Sequence, residues 1–145
     1  MNGGMPGWRR NPRMSIEYKG ETAMAEGGRG GDAGTTVAAL RAEMQAFVDA
    51  RDWRPFHDPK NLSMAIATEA AELMEHFRWL TNDQARAVAG DAAALQGVRE
   101  ELADVLCFAL SFANALEIDI STAVREKMRK NGEKYPVERF RGRFR

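Results

Sequence analysis

Residues 62–80 read LSMAIATEAAELMEHFRWL, and within them Leu62, Ile66, Leu73 and Leu80 recur at helical intervals. That spacing marks one buried helix face. At about 100° per residue, Glu69 falls about 20° from Leu62 on the wheel, against the apolar stripe, and Glu72 lies on its shoulder. An unpaired carboxylate on a buried face costs on the order of several kcal/mol. These charges therefore need a partner, and the identity of that partner is the functional question.

A second stretch has the same design. Leu95, Val98, Leu102, Val105, Ala109, Phe112 and Leu116 alternate in steps of three and four, the spacing of a helix–helix seam. Glu101 and Asp104 border that seam beside Phe108. Both pairs, Glu69/Glu72 and Glu101/Asp104, sit at i and i+3, one turn apart on one helix face.

The rest of the chain supplies two more helices and a loop. A first helix is predicted from a Thr35 or Thr36 N-cap to about Arg51, with Val37, Leu40, Met44, Phe47 and Val48 on one face. Asp52 to Pro59 is a loop dense in aromatics, and its two prolines forbid a continuous helix. The second helix is predicted over about 59–80, with His76 as a hydrogen-bonded core residue and Asn61, Glu72 and Trp79 in one narrow arc. A polar connection with a helical turn at 83–89 leads to a third helix over about 92–117. A fourth, capped by Asp119 or Ser121, runs to about Glu133 before Tyr135-Pro136 ends it. Its apolar face carries Ile120, Val124 and Met128, and another face carries Lys127, Asn131 and Lys134. No strand pattern occurs. The expected fold is all-α, a four-helix bundle.

Around it, residues 1–34 hold nine of the 13 glycines and read as a disordered leader, in which Met14 and Met24 offer later start sites. The domain spans 35–136, and 137–145 is a basic, flexible tail. The 21 basic and 21 acidic residues cancel, so no global charge draws the chain to nucleic acid or an anionic membrane. Their distribution is uneven. Asp58 to Asp104 holds nine acidic and four basic residues, whereas Arg125 onward holds nine basic and three acidic. That suits a cation plus an anionic ligand. The one cysteine, Cys107, excludes an intrachain disulfide and fits a cytoplasmic protein in which it simply packs. No run approaches the roughly 18 apolar residues of a membrane span.

Three uses of the four carboxylates compete. As solvated helix faces they need no partner, which suits Glu75 and Glu100 but not Glu69. A ferritin-like di-metal centre needs Glu-x-x-His, and neither histidine follows a Glu by three residues. The third use is to collect Mg²⁺, a hard cation that takes carboxylates, water and substrate phosphates. Lys127, Asn131 and Lys134 then neutralise outer phosphates, and Trp53, Phe56 and Trp79 offer flat faces to a base.

Glu69-x-x-Glu72, 28 intervening residues and Glu101-x-x-Asp104 resemble the signature of the MazG-like, all-α nucleoside triphosphate pyrophosphohydrolases. The likeness is greatest to their dCTP pyrophosphatase branch. Arg51-Asp52-Trp53, Phe56-His57, Pro59 to Leu62 and Lys127-Met128 through Asn131 to Tyr135-Pro136 extend it over about residues 36–136. The resemblance implies hydrolysis of a (deoxy)nucleoside triphosphate, dCTP or a related pyrimidine nucleotide, to monophosphate and pyrophosphate. It implies Mg²⁺, with Mn²⁺ as a substitute, on Glu69, Glu72, Glu101 and Asp104, and water activation by Glu69 or Glu72. It places Lys127, Asn131, Lys134 and Tyr135 around phosphates and sugar, and Trp53 and Trp79 around the base. His57, Asn61 and Phe108 complete the expected substrate-binding set. Two positions depart from the animal enzyme: Met44 stands for a His and Phe108 for a Tyr, which bears on base preference. The family also implies a homodimer or homotetramer, with sites near the interface drawing on two subunits; a nucleoside triphosphate is the expected partner, and nucleic acid and membrane are not. Competing expectations are a non-enzymatic helical oligomerisation or adaptor module, and a phosphoribosyl-ATP-type pyrophosphohydrolase, against which the aromatic loop at Trp53 argues.

Overall fold

Side-chain caps set where the first five α-helices begin. Thr36 accepts from the Ala39 N–H at the start of α1 (Val37–Asp49), and Asp58 accepts from Asn61 N–H at the start of α2 (Pro59–Glu75). Pro59 opens α2 at the position where its missing N–H matters least. Thr81 and Gln84 form a reciprocal capping box on the short α3 (Asn82–Ala87). Asp91 caps α4 (Ala92–Ala115), Asp119 caps α5 (Ile120–Lys134), and one further turn, α6, spans Val137–Phe140. The structure is a computed structural model that describes residues 31–143.

The all-α expectation holds: these helices and two 3-10 turns make up the regular structure, and no strand occurs among the described residues. Most of the leader, residues 1–30, lies outside the described residues. Within the segment read as a flexible tail, α6 forms, and Phe140 meets the Tyr135 ring edge-on at 5.3 Å.

The predicted second helix is too long by about one turn. It ends at Glu75, and the Phe77 and Arg78 N–H groups both fall back on the Met74 carbonyl. The reason is the capping box at Thr81. A new helix starting there requires the chain to turn first, and the aromatic run before it has little helix propensity to resist. His76 is consequently exposed at the end of α2 rather than a hydrogen-bonded core residue.

The largest interface joins α2 and α4, the two helices that carry the acidic pairs. Next, α1 lies on α4, pinned by a reciprocal clamp. Arg41 Nε donates to Asn114 Oδ1 at 2.8 Å, and Asn114 Nδ2 donates to the Arg41 carbonyl at 2.9 Å. The core at these contacts is thin: Val48, Leu62 and Ala113 are the buried apolar side chains among the described residues.

The fourth long helix behaves differently from the first three. After α4, Glu117 adopts a left-handed φ of 54° and Ile118 N–H reaches back to the Ala113 carbonyl at 2.9 Å, closing a Schellman-type turn. The turn sends α5 off at 103° to α4. Among the described residues, α5 packs extensively against no other helix, and its Val124 and Met128 are 54% and 62% exposed. No helix described is by itself long and apolar enough to cross a membrane.

Candidate active site

The tight packing of α2 on α4 brings three carboxylates together. Oxygens of Glu69, Glu72 and Glu101 lie within 4.8 Å of one another. Asp104, one turn further along α4, is close enough for its charge to act on Glu69. Burial pushes the Glu69 carboxyl above the usual range, and the charges of Glu72, Asp104 and Glu101 push it further. Burial, then Glu100, raises Asp104. Away from this cluster, Asp49, Glu75, Asp83 and Glu133 pair with nearby arginines.

An all-oxygen set of like charges gathered from two helices, with Glu69 and Glu101 half-buried and Glu72 and Asp104 exposed, has the donor chemistry that a hard divalent cation takes. A cation there would also relieve the repulsion that raises Glu69. The residues fit the group. Cys107 stands one turn from Asp104 and is not part of this set; burial and the Asp104 charge push its thiol up, away from thiolate.

The aromatic loop forms a separate, well-braced unit. Trp53 meets Phe47 edge-on at 5.9 Å and stacks with the His57 ring at 6.3 Å. His57 Nδ1 lies 2.9 Å from the Trp53 carbonyl, and the Asn61 amide donates to the Phe56 carbonyl at 3.3 Å. His57 and Asn61 thus brace the loop that presents Trp53. Arg54 is held by a bidentate pair with Asp49 at 2.5 and 2.8 Å, which holds the Asp49 carboxyl below its ordinary range.

The structure does not bring all the expected residues together within one chain. Trp53 precedes α2 and Trp79 follows it, so the 17 residues of α2, about 25 Å of rise, separate them. Trp79 is 82% exposed, with the Arg78 guanidinium 4.7 Å from its ring centre. The arc that joined Asn61, Glu72 and Trp79 on paper required helix through residue 79, and the helix stops at Glu75. Lys127, Asn131 and Lys134 ride on the splayed α5, and Tyr135 caps its end. Phe108 is half-buried on α4, one turn after Asp104. One polar residue beyond the expected set is Ser111, on the same face of α4; its spacing of three from Phe108 and seven from Asp104 is the signal that would have found it.

The sequence pattern of the MazG-like family matches residues 64–143, from the first acidic helix through α6. The chain belongs to the MazG-like family. Its acidic pairs on α2 and α4 both lie inside the matched segment. Among the family's characterised relatives, dCTP pyrophosphatase 1 of Bos taurus is 32% identical over 86% of this chain and 73% of its own length. The Rattus norvegicus dCTP pyrophosphatase 1 is 35% identical over 74% of this chain and 63% of its own length. A pyrophosphatase from Archaeoglobus fulgidus shares the fold at a TM-score of 0.64 and 39% identity, over 68% of this chain and 91% of that one. This MazG-like chain is a nucleoside triphosphate pyrophosphohydrolase.

Proposed function

We propose that this MazG-like enzyme hydrolyses deoxynucleoside triphosphates between the α and β phosphates, with dCTP or a related pyrimidine nucleotide as substrate and Mg²⁺ as the cation. The observation that carries this is the convergence of Glu69, Glu72 and Glu101 within 4.8 Å, with Asp104 close enough for its charge to act on Glu69. The nucleotide names of the animal relatives support the substrate class.

Glu69, Glu72, Glu101 and Asp104 would hold Mg²⁺, or Mn²⁺ in its place. The ion, when bound, supplies charge neutralisation on the phosphates and acidifies water. Glu69 or Glu72 accepts the proton of the water that attacks the α-phosphorus, and pyrophosphate leaves. Glu69 suits the task because it is half-buried and the charges of Glu72, Asp104 and Glu101 all press on it.

The phosphate cations come from a second copy of the chain. Lys127, Asn131, Lys134 and Tyr135 sit on a helix that turns away from its own acidic cluster, with apolar Val124 and Met128 uncovered. On α4, Leu102 and Leu106 are 47% and 54% exposed beside the acids. Apolar faces on both helices and a core of three small or medium side chains favour a homodimer or homotetramer that covers them. The same assembly offers a route for a partner's Trp79 to approach Trp53.

The decisive experiment incubates the purified protein with each dNTP and Mg²⁺ and separates pyrophosphate from orthophosphate. Monophosphate and pyrophosphate in equal amounts are expected; release of orthophosphate alone overturns α–β cleavage.

A further inference from the structure

A third polar residue shares the acidic face of α2. His76 follows Glu72 by four residues and Glu69 by seven, and as the C-cap it keeps helical φ and ψ of −61° and −22°. The three side chains therefore stand on one face. Gly97, Glu101 and Asp104 stand in the same way on one face of α4. Oxygens of Glu72 and Glu101 come within 4.8 Å, and one turn further along α2 the His76 ring meets Gly97. The two helices run antiparallel here, and the acidic groove continues past its carboxylates to the imidazole.

Gly97 is what admits the ring. A Cβ at that position would stand 2.8 Å from His76 Cε1 and 3.4 Å from Nε2, so a side chain there would turn the imidazole aside. Among the described residues, the His76 ring makes no hydrogen bond or ion pair. Of the six residues on the two faces it alone carries a side-chain N–H, and it keeps one whether the ring is neutral or protonated. Arg78, two residues on, is already paired with Glu75.

The direction of the groove says which part of a nucleotide reaches the ring. Trp53 and the rest of the aromatic loop precede α2, whereas His76 closes it. With the base at the loop end and the α-phosphate on the acids, the outer phosphates extend toward His76. The ring stands one turn, about 6 Å of rise, past Glu72.

We infer that His76 is a further catalytic residue of this site, its ring N–H donating a hydrogen bond to the departing pyrophosphate. The inference rests on the α–β cleavage proposed above. In that step the water oxygen bonds to the α-phosphorus and the water proton passes to Glu69 or Glu72. The bond from the α-phosphorus to the bridging oxygen breaks, and its electron pair leaves with pyrophosphate. His76 transfers no proton. It donates to a group whose negative charge grows as that bond breaks, which is where a fixed donor accelerates the step.

The chain has two histidines, so His57, tethered to the Trp53 carbonyl, serves as an internal reference. In the imidazole nitrogen–proton correlation spectrum of the full-length chain with Mg²⁺, pyrophosphate should move the His76 signals and leave those of His57 in place. The product dCMP, which lacks the leaving group, should move His76 far less. With dCTP, His76→Ala should lower kcat about tenfold, the low end for a hydrogen bond to a charged acceptor. It should weaken inhibition by pyrophosphate by a similar factor and leave inhibition by dCMP unchanged. His76→Gln, which keeps an N–H donor, should recover most of both losses. The ring is exposed, so neither variant threatens the fold. An unmoved His76 signal at saturating pyrophosphate, an unchanged kcat in His76→Ala, or equal weakening of the two inhibitors overturns the inference. If dCTP releases orthophosphate instead, α–β cleavage fails, while the spectrum, which needs no turnover, still decides whether His76 meets the anion.

Discussion

The His76 ring lies against the backbone of Gly97, so that a methyl group added at Gly97 would stand 2.8 Å from His76 Cε1. His76 is one turn past Glu72, and Gly97 one turn before Glu101. The close approach of α2 and α4 at this point is what lets carboxylates from the two helices converge a turn away.

The contact predicts a dependence on context. Gly97→Ala alone should be close to neutral, because turning the exposed His76 ring aside offsets the gain in helix propensity. In a His76→Ala background the same change should stabilise by about 1 kcal/mol, the helix-propensity difference between Gly and Ala. Denaturant unfolding of the four proteins in a double-mutant cycle measures the coupling; equal effects in both backgrounds would show that the ring imposes no constraint.

The acidic cluster predicts opposite effects with and without metal. Removing one like charge, as in Glu72→Gln or Glu69→Gln, should raise the melting temperature of the metal-free protein. In the unaltered chain, Mg²⁺ at a hundredfold above its Kd should add about 2.7 kcal/mol, and either variant should lose that shift together with turnover. Differential scanning calorimetry with and without Mg²⁺ reads both arms, and a variant that keeps the full Mg²⁺ shift removes its carboxylate from the cation site.

The splayed α5 predicts rescue between subunits. Glu72→Gln and Lys127→Ala chains should each be inactive alone. Mixed, unfolded and refolded together, they should recover activity, because some assemblies pair an intact acidic cluster with an intact lysine from the other chain. If mixtures stay inactive while both chains assemble, the lysine acts within its own subunit.

The α4–α5 corner predicts a defined acid dependence. The Thr122 N–H and hydroxyl, then Arg41 and Arg125, hold the Asp119 carboxyl below its ordinary value of 3.8. A carboxyl depressed on folding stabilises above its unfolded pKa and loses that contribution as pH falls through its folded pKa. Asp119→Asn keeps a cap but not the charge. Its melting temperature should therefore be lower than that of the unaltered chain near neutrality, and the difference should close in acid below 3.8. A constant difference across that range would mean that the charge at Asp119 contributes nothing.

What the sequence determined by itself was local. The long helix over 92–115 and the caps at Thr36 and Asp119 appear in the structure where the spacing and the side chains put them, although Leu102 and Leu116 of the expected seam are exposed. Such features depend on contacts within a turn or two, so a linear pattern records them. The two pairs of carboxylates were legible for the same reason: an acid against an apolar stripe announces itself. The end of α2 at Glu75 was less so, because a capping box at Thr81, outside the apolar pattern, decided it. Only the tertiary structure revealed that Gly97 admits His76, that Ser111 is sealed in without a partner, and that α5 leaves the bundle at 103°. Each of those depends on how far apart two packed segments stand or on the left-handed turn at Glu117, and neither distance nor turn geometry is written in the period of the side chains.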